Sequence, residues 1–205
     1  IQKGSTARAM PLAMQDETEV RAFIAEIIKQ YGKIDGFVHN AYATLPFMPV
    51  GKVPWSYWSD SMRVSIAACE TIAAALVDAR EKTGIQSIVN IASIYGVRAP
   101  QFPMYEPDRE PNPVYYGTVK AAVLALTRYL AALWGALGVR VNAVTPGGIL
   151  AGQQSDFLAK YGATVPQGRM VTPQEVSDTI VFLLSDRSSG ITGANIMVDA
   201  GKSIW

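Results

Sequence analysis

Histidine and cysteine each occur once, as His39 and Cys69. A single cysteine excludes an internal disulfide, and one histidine with one cysteine argues against a zinc site, so no metal ligands are assigned. An excess of one charge is also missing. The 18 basic and 17 acidic residues leave a formal net charge of +1, and no basic block marks a nucleic-acid or membrane partner. No apolar run reads as a bilayer span. The nearest, residues 121–133, is interrupted by Thr127 and Arg128 and is expected to be a buried helix. No signal peptide is visible, so a reducing cytoplasm is the expected location. The chain begins at Ile1 rather than Met, in a polar stretch without a cap or strand signal.

What is present suits one domain over residues 1–205, with hydrophobic residues at 49% and enough length for a sizeable core. Residues 8–14 are mostly apolar and read as a strand. Asp16 then caps a helix whose apolar stripe is Val20, Phe23, Ile24, Ile27, Ile28 and Tyr31, closed by Gly32. Residues 34–39 and 86–92 read as buried strands. A second long helix is expected over 57–80, and residues 95–113 form a Pro-rich loop. Strand 139–144, a short helix at 155–161, a helix starting at Pro173 and a last strand at 195–198 complete the pattern. Strands alternating with helices predict an α/β fold: a doubly wound parallel sheet with helices on both faces. Ligands of such sheets bind at the carboxyl ends of the strands. Those ends are Asn40-Ala41, Ser93 and Pro146-Gly147.

The chemistry centres on Tyr116 and Lys120. Four residues apart at the start of a helix, they share a face. A cation beside a phenol favours phenolate, and is expected to draw the Tyr116 pKa down so that it gives or takes a proton at a carbonyl or alcohol oxygen.

Five features in order complete a resemblance: Asn40-Ala41 after a strand, Ser93 at a strand end, Tyr116 with Lys120, the run from Arg140 to Gly147, and the closing Ile191-Thr192-Gly193 and Val198-Asp199-Ala200-Gly201. The chain resembles the short-chain dehydrogenase/reductase family over essentially its whole length. The resemblance implies a Rossmann-like fold and an NAD- or NADP-dependent oxidoreductase acting on a carbonyl or hydroxyl of a small polar, sugar-like substrate. It implies Tyr116 as acid/base, Ser93 as the group holding the substrate oxygen, and Lys120 as the group that tunes Tyr116 and binds the nicotinamide ribose. Pro146, Gly147 and Ile149 would face the nicotinamide, and Asn40 and Ala41 the adenosine half. It also implies a homodimer or homotetramer, with residues 66–76, 121–133 and Ile204-Trp205 as candidate interfaces.

There are departures. Neither G-x-G-x-x-G nor G-x-x-x-G-x-G occurs, so the N-terminal βα units that bind pyrophosphate are read as absent, on the order of 50 residues. The choice between NAD and NADP is lost with them. Ser65 stands where the family often has a relay Asn, Tyr42 where Gly follows Asn-Ala, Ala13 where an adenine-binding Asp is common, and Ala151 where a Thr holds the carboxamide. Ser93 and Tyr116 are 23 positions apart, wider than the family spacing. The intervening loop must border the substrate, with Arg98, Tyr105, Glu106 and Arg109 as candidate contacts. Its pattern looks like a bacterial sugar-modification subgroup associated with flagellin glycans. Two alternatives remain. One is a sugar-nucleotide epimerase or dehydratase of the extended branch, disfavoured because only 58 residues follow Gly147. The other is a catalytically silent, cofactor-binding regulatory protein.

Overall fold

The computed structural model describes residues 6–105 and 112–205. Among them lies one four-stranded parallel sheet with the strands side by side in chain order. The strands are β1 (Gly36–His39), β2 (Ser87–Ile91), β3 (Arg140–Pro146) and β4 (Asn195–Val198). The central β2 is buried at every residue, whereas β1, at one edge, is only partly buried.

Helices cover both faces. On one face α1 (Glu17–Tyr31), α3 (Ala68–Asp78) and α5 (Val114–Trp134) pack against Ile88 and Val141. On the other, α6 (Ser155–Gly162) and α7 (Pro173–Leu184) cover Val89 and Val144. Neighbouring residues of one strand therefore serve opposite layers, as the pleat requires. Leu76 and Leu183, one from each layer, are fully buried. Truncating either to Ala should cost about 2–5 kcal/mol.

Local signals account for the helix ends. The Asp16 carboxylate accepts from the amides of Thr18 and Glu19 at 2.8 and 3.1 Å, and Gly32 leaves α1 at φ 69°. Thr172 and Glu175 form a reciprocal capping box at the start of α7.

Three expectations change. Residues 8–14 are not a strand, because no strand of the described sheet lies beside them to pair their backbone. The helix expected over 57–80 starts earlier, as α2 (Trp55–Met62), and passes through a π-helical turn, Arg63–Ala67, before α3. A short α4 (Arg80–Thr83) follows, closed by Gly84 at φ 70°. Finally, the apolar helix is longer than 121–133. Val114–Leu137 is long and apolar enough to cross a membrane. Here Val119, Val123, Leu130 and Trp134 bury its inner face in the core, the arrangement of a core helix.

Candidate active site

The ladder sets His39 beside Asn90, and Ile91 beside Val144. The carboxyl ends of β1, β2 and β3 thus stop along one edge. Asn40 and Ala41 leave β1 there, Ser93 stands two residues beyond β2, and Gly147 follows β3 directly. The first turns of α5 reach this same end of the sheet, where Lys120 meets Ile91.

Ser93 is 7% exposed and in extended geometry, and its hydroxyl accepts from the Tyr95 amide at 3.2 Å. It also shares a hydrogen bond with the Tyr116 hydroxyl. Two glycines allow this approach. A Cβ on Gly117 would lie 2.8 Å from the Tyr95 carbonyl oxygen, and one on Gly96 would lie 2.8 Å from the Lys120 carbonyl carbon. The 3₁₀ turn Ile94–Gly96 is therefore laid directly on α5.

Lys120 is buried at 3% exposure. Its ammonium donates to the Ile91 carbonyl at 2.6 Å and lies 5.7 and 5.9 Å from the ring centroids of Tyr42 and Tyr116. Those two rings meet edge to face at 5.8 Å. Burial lowers the Lys120 pKa to about 8. The Tyr116 phenol behaves differently from the expectation. Burial pushes its pKa up, the Ser93 hydrogen bond pulls it down, and the net direction is upward. The ammonium is turned to the end of β2, which limits its hold on the phenol.

Beneath this group lies a polar layer that the sequence did not announce. Cys69 donates to the Asn90 side-chain oxygen, and the Asn90 amide donates to Thr127 at 2.9 Å. His39, 3% exposed, donates to the backbone carbonyl of Ser65 in the π turn, and its Nε2 has no partner among the described residues. Burial and the nearby Lys120 charge lower its pKa to about 4.

The opposite wall comes from α6 and the loop between Ser93 and Tyr116. The Tyr161 hydroxyl accepts from the Gly148 amide at 2.7 Å. A Cβ on Gly147 would lie 2.9 Å from Asp199, and one on Gly148 would lie 2.7 Å from the Tyr161 ring. Pro146 is buried and Ile149 half-buried, with Ile149 bridged to Val171. Lys202 ties the loop to the turn after α6, donating to Gln101 at 2.9 Å and to Thr164 at 2.6 Å. Arg98, a candidate substrate contact, turns to the C-terminal segment. Its guanidinium donates to the backbone carbonyls of Lys202 and Trp205. Glu106 and Arg109 lie outside the described residues.

The donor set suits the nicotinamide end of a dinucleotide. An ammonium has three N–H groups, and Lys120 shows one hydrogen bond among the described residues, which leaves two for a ribose diol. The Tyr116 hydroxyl stands beside it.

The family model described as Enoyl-(Acyl carrier protein) reductase matches residues 1–203. The chain belongs to the short-chain dehydrogenase/reductase family. The flagellin modification protein A of Campylobacter coli, named for post-translational modification, is 30% identical over 203 residues, which is 94% of this chain and 77% of that protein. A short-chain dehydrogenase of Leptospira borgpetersenii with bound NAD+ superimposes with a TM-score of 0.84 at 27% identity, over 95% of this chain and 74% of that one. A gluconate 5-dehydrogenase of Burkholderia cenocepacia, in complex with NADP and tartrate, gives 0.79 at 25% identity, over 94% and 73%. NAD(P)-dependent oxidoreduction is the chemistry of this family, and this chain is one of its enzymes.

Proposed function

We propose that the chain moves hydride between NAD or NADP and a hydroxyl or carbonyl carbon of a small polar, sugar-like substrate, with Ser93, Tyr116 and Lys120 as its catalytic group. The observation that carries this is the meeting of those three side chains at the carboxyl end of the sheet, Ser93 from the segment after β2 and Tyr116 with Lys120 from α5. The nicotinamide, when bound, supplies or accepts the hydride. Tyr116 gives a proton to the carbonyl oxygen as reduction proceeds, or takes it from the alcohol in oxidation. Ser93 donates a hydrogen bond to the same oxygen and fixes its distance from Tyr116. Lys120 and Tyr116 hold the ribose hydroxyls, and the Lys120 charge favours the phenolate when it forms. Asn40 and Ala41 line the adenosine side, and Pro146, Gly147 and Ile149 the nicotinamide side.

After Gly147, β4 adds to the sheet beside β3 and α7 packs into the same core. A sugar-modifying role draws support from the flagellin modification relative and the sugar-acid dehydrogenase. We place the protein in the cytoplasm as a homodimer or homotetramer. Tyr129 and Leu133, exposed on α5, and the exposed Ile204 and Trp205 are the interface candidates, whereas Cys69, Ile72 and Leu76 are buried within the chain. Nicotinamide absorbance followed across a panel of polyols, sugar acids and ketones tests the activity. Cofactor binding with no turnover anywhere in the panel would return the regulatory reading.

A further inference from the structure

Tyr95 and Tyr105 face each other inside the wide loop between Ser93 and Tyr116, their hydroxyl oxygens 2.7 Å apart. The Asn112 side chain also reaches the Tyr95 hydroxyl. Each phenol carries one hydrogen to donate and can accept others. The pair owns two hydrogens, and the contact between them uses one. An amide N–H from Asn112 occupies an acceptor site and takes up neither. Among the described residues no further acceptor meets either hydroxyl. Among the described residues one O–H is therefore left over, whichever oxygen carries it.

Its place is beside the reacting group. Tyr95 is tied to Ser93 through its amide, and its phenol is felt electrostatically by both Tyr116 and Tyr161. The Tyr105 ring tilts against Phe157 at 6.4 Å, and Phe157 against Tyr161 at 6.3 Å. The wall thus offers aromatic faces with hydroxyls at their rims. That is the complement of a ring compound with apolar C–H faces and oxygens around its edge.

We propose that the Tyr95–Tyr105 hydroxyl pair binds a second oxygen of the substrate, so that the site selects an alcohol or ketone carrying a further hydroxyl near the reacting carbon over one with a single oxygen. This rests on the reading of Ser93 and Tyr116 as the reacting group. Both residues are specificity residues, and neither takes part in the proton or hydride transfer.

The probes are cis-1,2-cyclohexanediol and cyclohexanol, equal in ring and different by one oxygen. Their affinities for the full chain with NAD+ or NADP+ are measured by calorimetry, and their oxidation by nicotinamide absorbance. The diol should bind about tenfold tighter, the value of one hydrogen bond. Tyr105→Phe and Tyr95→Phe should each remove that preference through the diol alone, leaving cyclohexanol unchanged, since the rings remain. Equal affinity for both probes in the unsubstituted chain overturns the proposal. So does an equal loss for both probes in the variants, which marks a purely structural pair. Diol preference without any oxidation supports the pair's role and counts against hydride transfer at Ser93 and Tyr116. Oxidation of both probes without preference does the reverse.

Discussion

The Lys120 ammonium donates to the Ile91 carbonyl across 2.6 Å, so the last residue of β2 fixes the cation beside Tyr116. This contact joins the helix that carries the phenol to the strand that leads to Ser93. Burying the charge has a measurable cost. The unfolded lysine titrates near 10.5 and the folded one near 8, so the unfolded state binds more protons between those values. Stability should therefore rise with pH across that window, by roughly 1–3 kcal/mol. Denaturant midpoints at its two ends measure the rise, and Lys120→Met should flatten it.

Tyr116→Phe removes one oxygen and leaves the edge-to-face contact with Tyr42. Turnover should fall by about 10²–10⁴-fold, the range of a lost acid/base group. The melting temperature should stay close to that of the unsubstituted protein. Retained turnover in a folded variant would remove Tyr116 from the catalytic role.

His39 sets a limit on the acid side. Its pKa is about 4 when folded against 6.5 when free, so the unfolded state takes up the proton first as pH falls. The stability this contributes is complete above 6.5 and is lost progressively down to about 4. It is worth up to about 3 kcal/mol. Urea unfolding across that range should show a steeper loss in the unsubstituted protein than in His39→Leu. Parallel curves would mean that the imidazole is solvated in the native state.

Gly96→Ala should damage both stability and rate. The new Cβ would meet the Lys120 carbonyl carbon at 2.8 Å, its oxygen at 2.9 Å and the Ala121 nitrogen at 3.0 Å, all backbone. No side chain can swing aside, so the 3₁₀ turn must lift from α5 and carry Ser93 with it. A loss of about 1–3 kcal/mol is expected, as for an overpacked core. The fall in kcat should exceed the rise in KM. An unchanged kcat would show that the turn moves without Ser93.

Much of this was legible because its signals are local. Asp16 and Gly32 bracket α1, the run from Ser87 to Ile91 has the composition of a central strand, and the four-residue spacing of Tyr116 and Lys120 fits the first turns of α5. The misses have long-range causes. Residues 8–14 carry strand composition, but a strand needs a neighbour, and none lies there in the described sheet. The π turn has no signature in Arg63–Ala67 itself. Tyr161 gave no hint of its bond to Gly148, nor Lys202 of its ties to Gln101 and Thr164, because each pairs residues far apart in sequence. The Tyr116 pKa direction was misjudged for a related reason. Spacing along a helix places a cation near a phenol, but only the fold decides how deeply the phenol is buried.

The π turn at Arg63–Ala67 holds one residue more than an α turn would. Each α-helical residue advances about 100° around the axis, so α2 and α3 are out of phase by that angle. Ser61 before the turn and Cys69 after it are both buried. Removing one residue from the turn would restore a regular helix and swing Trp55–Met62 around like a key in a lock. The single extra residue thus acts as the adjustment that points one helix at two different walls of the molecule.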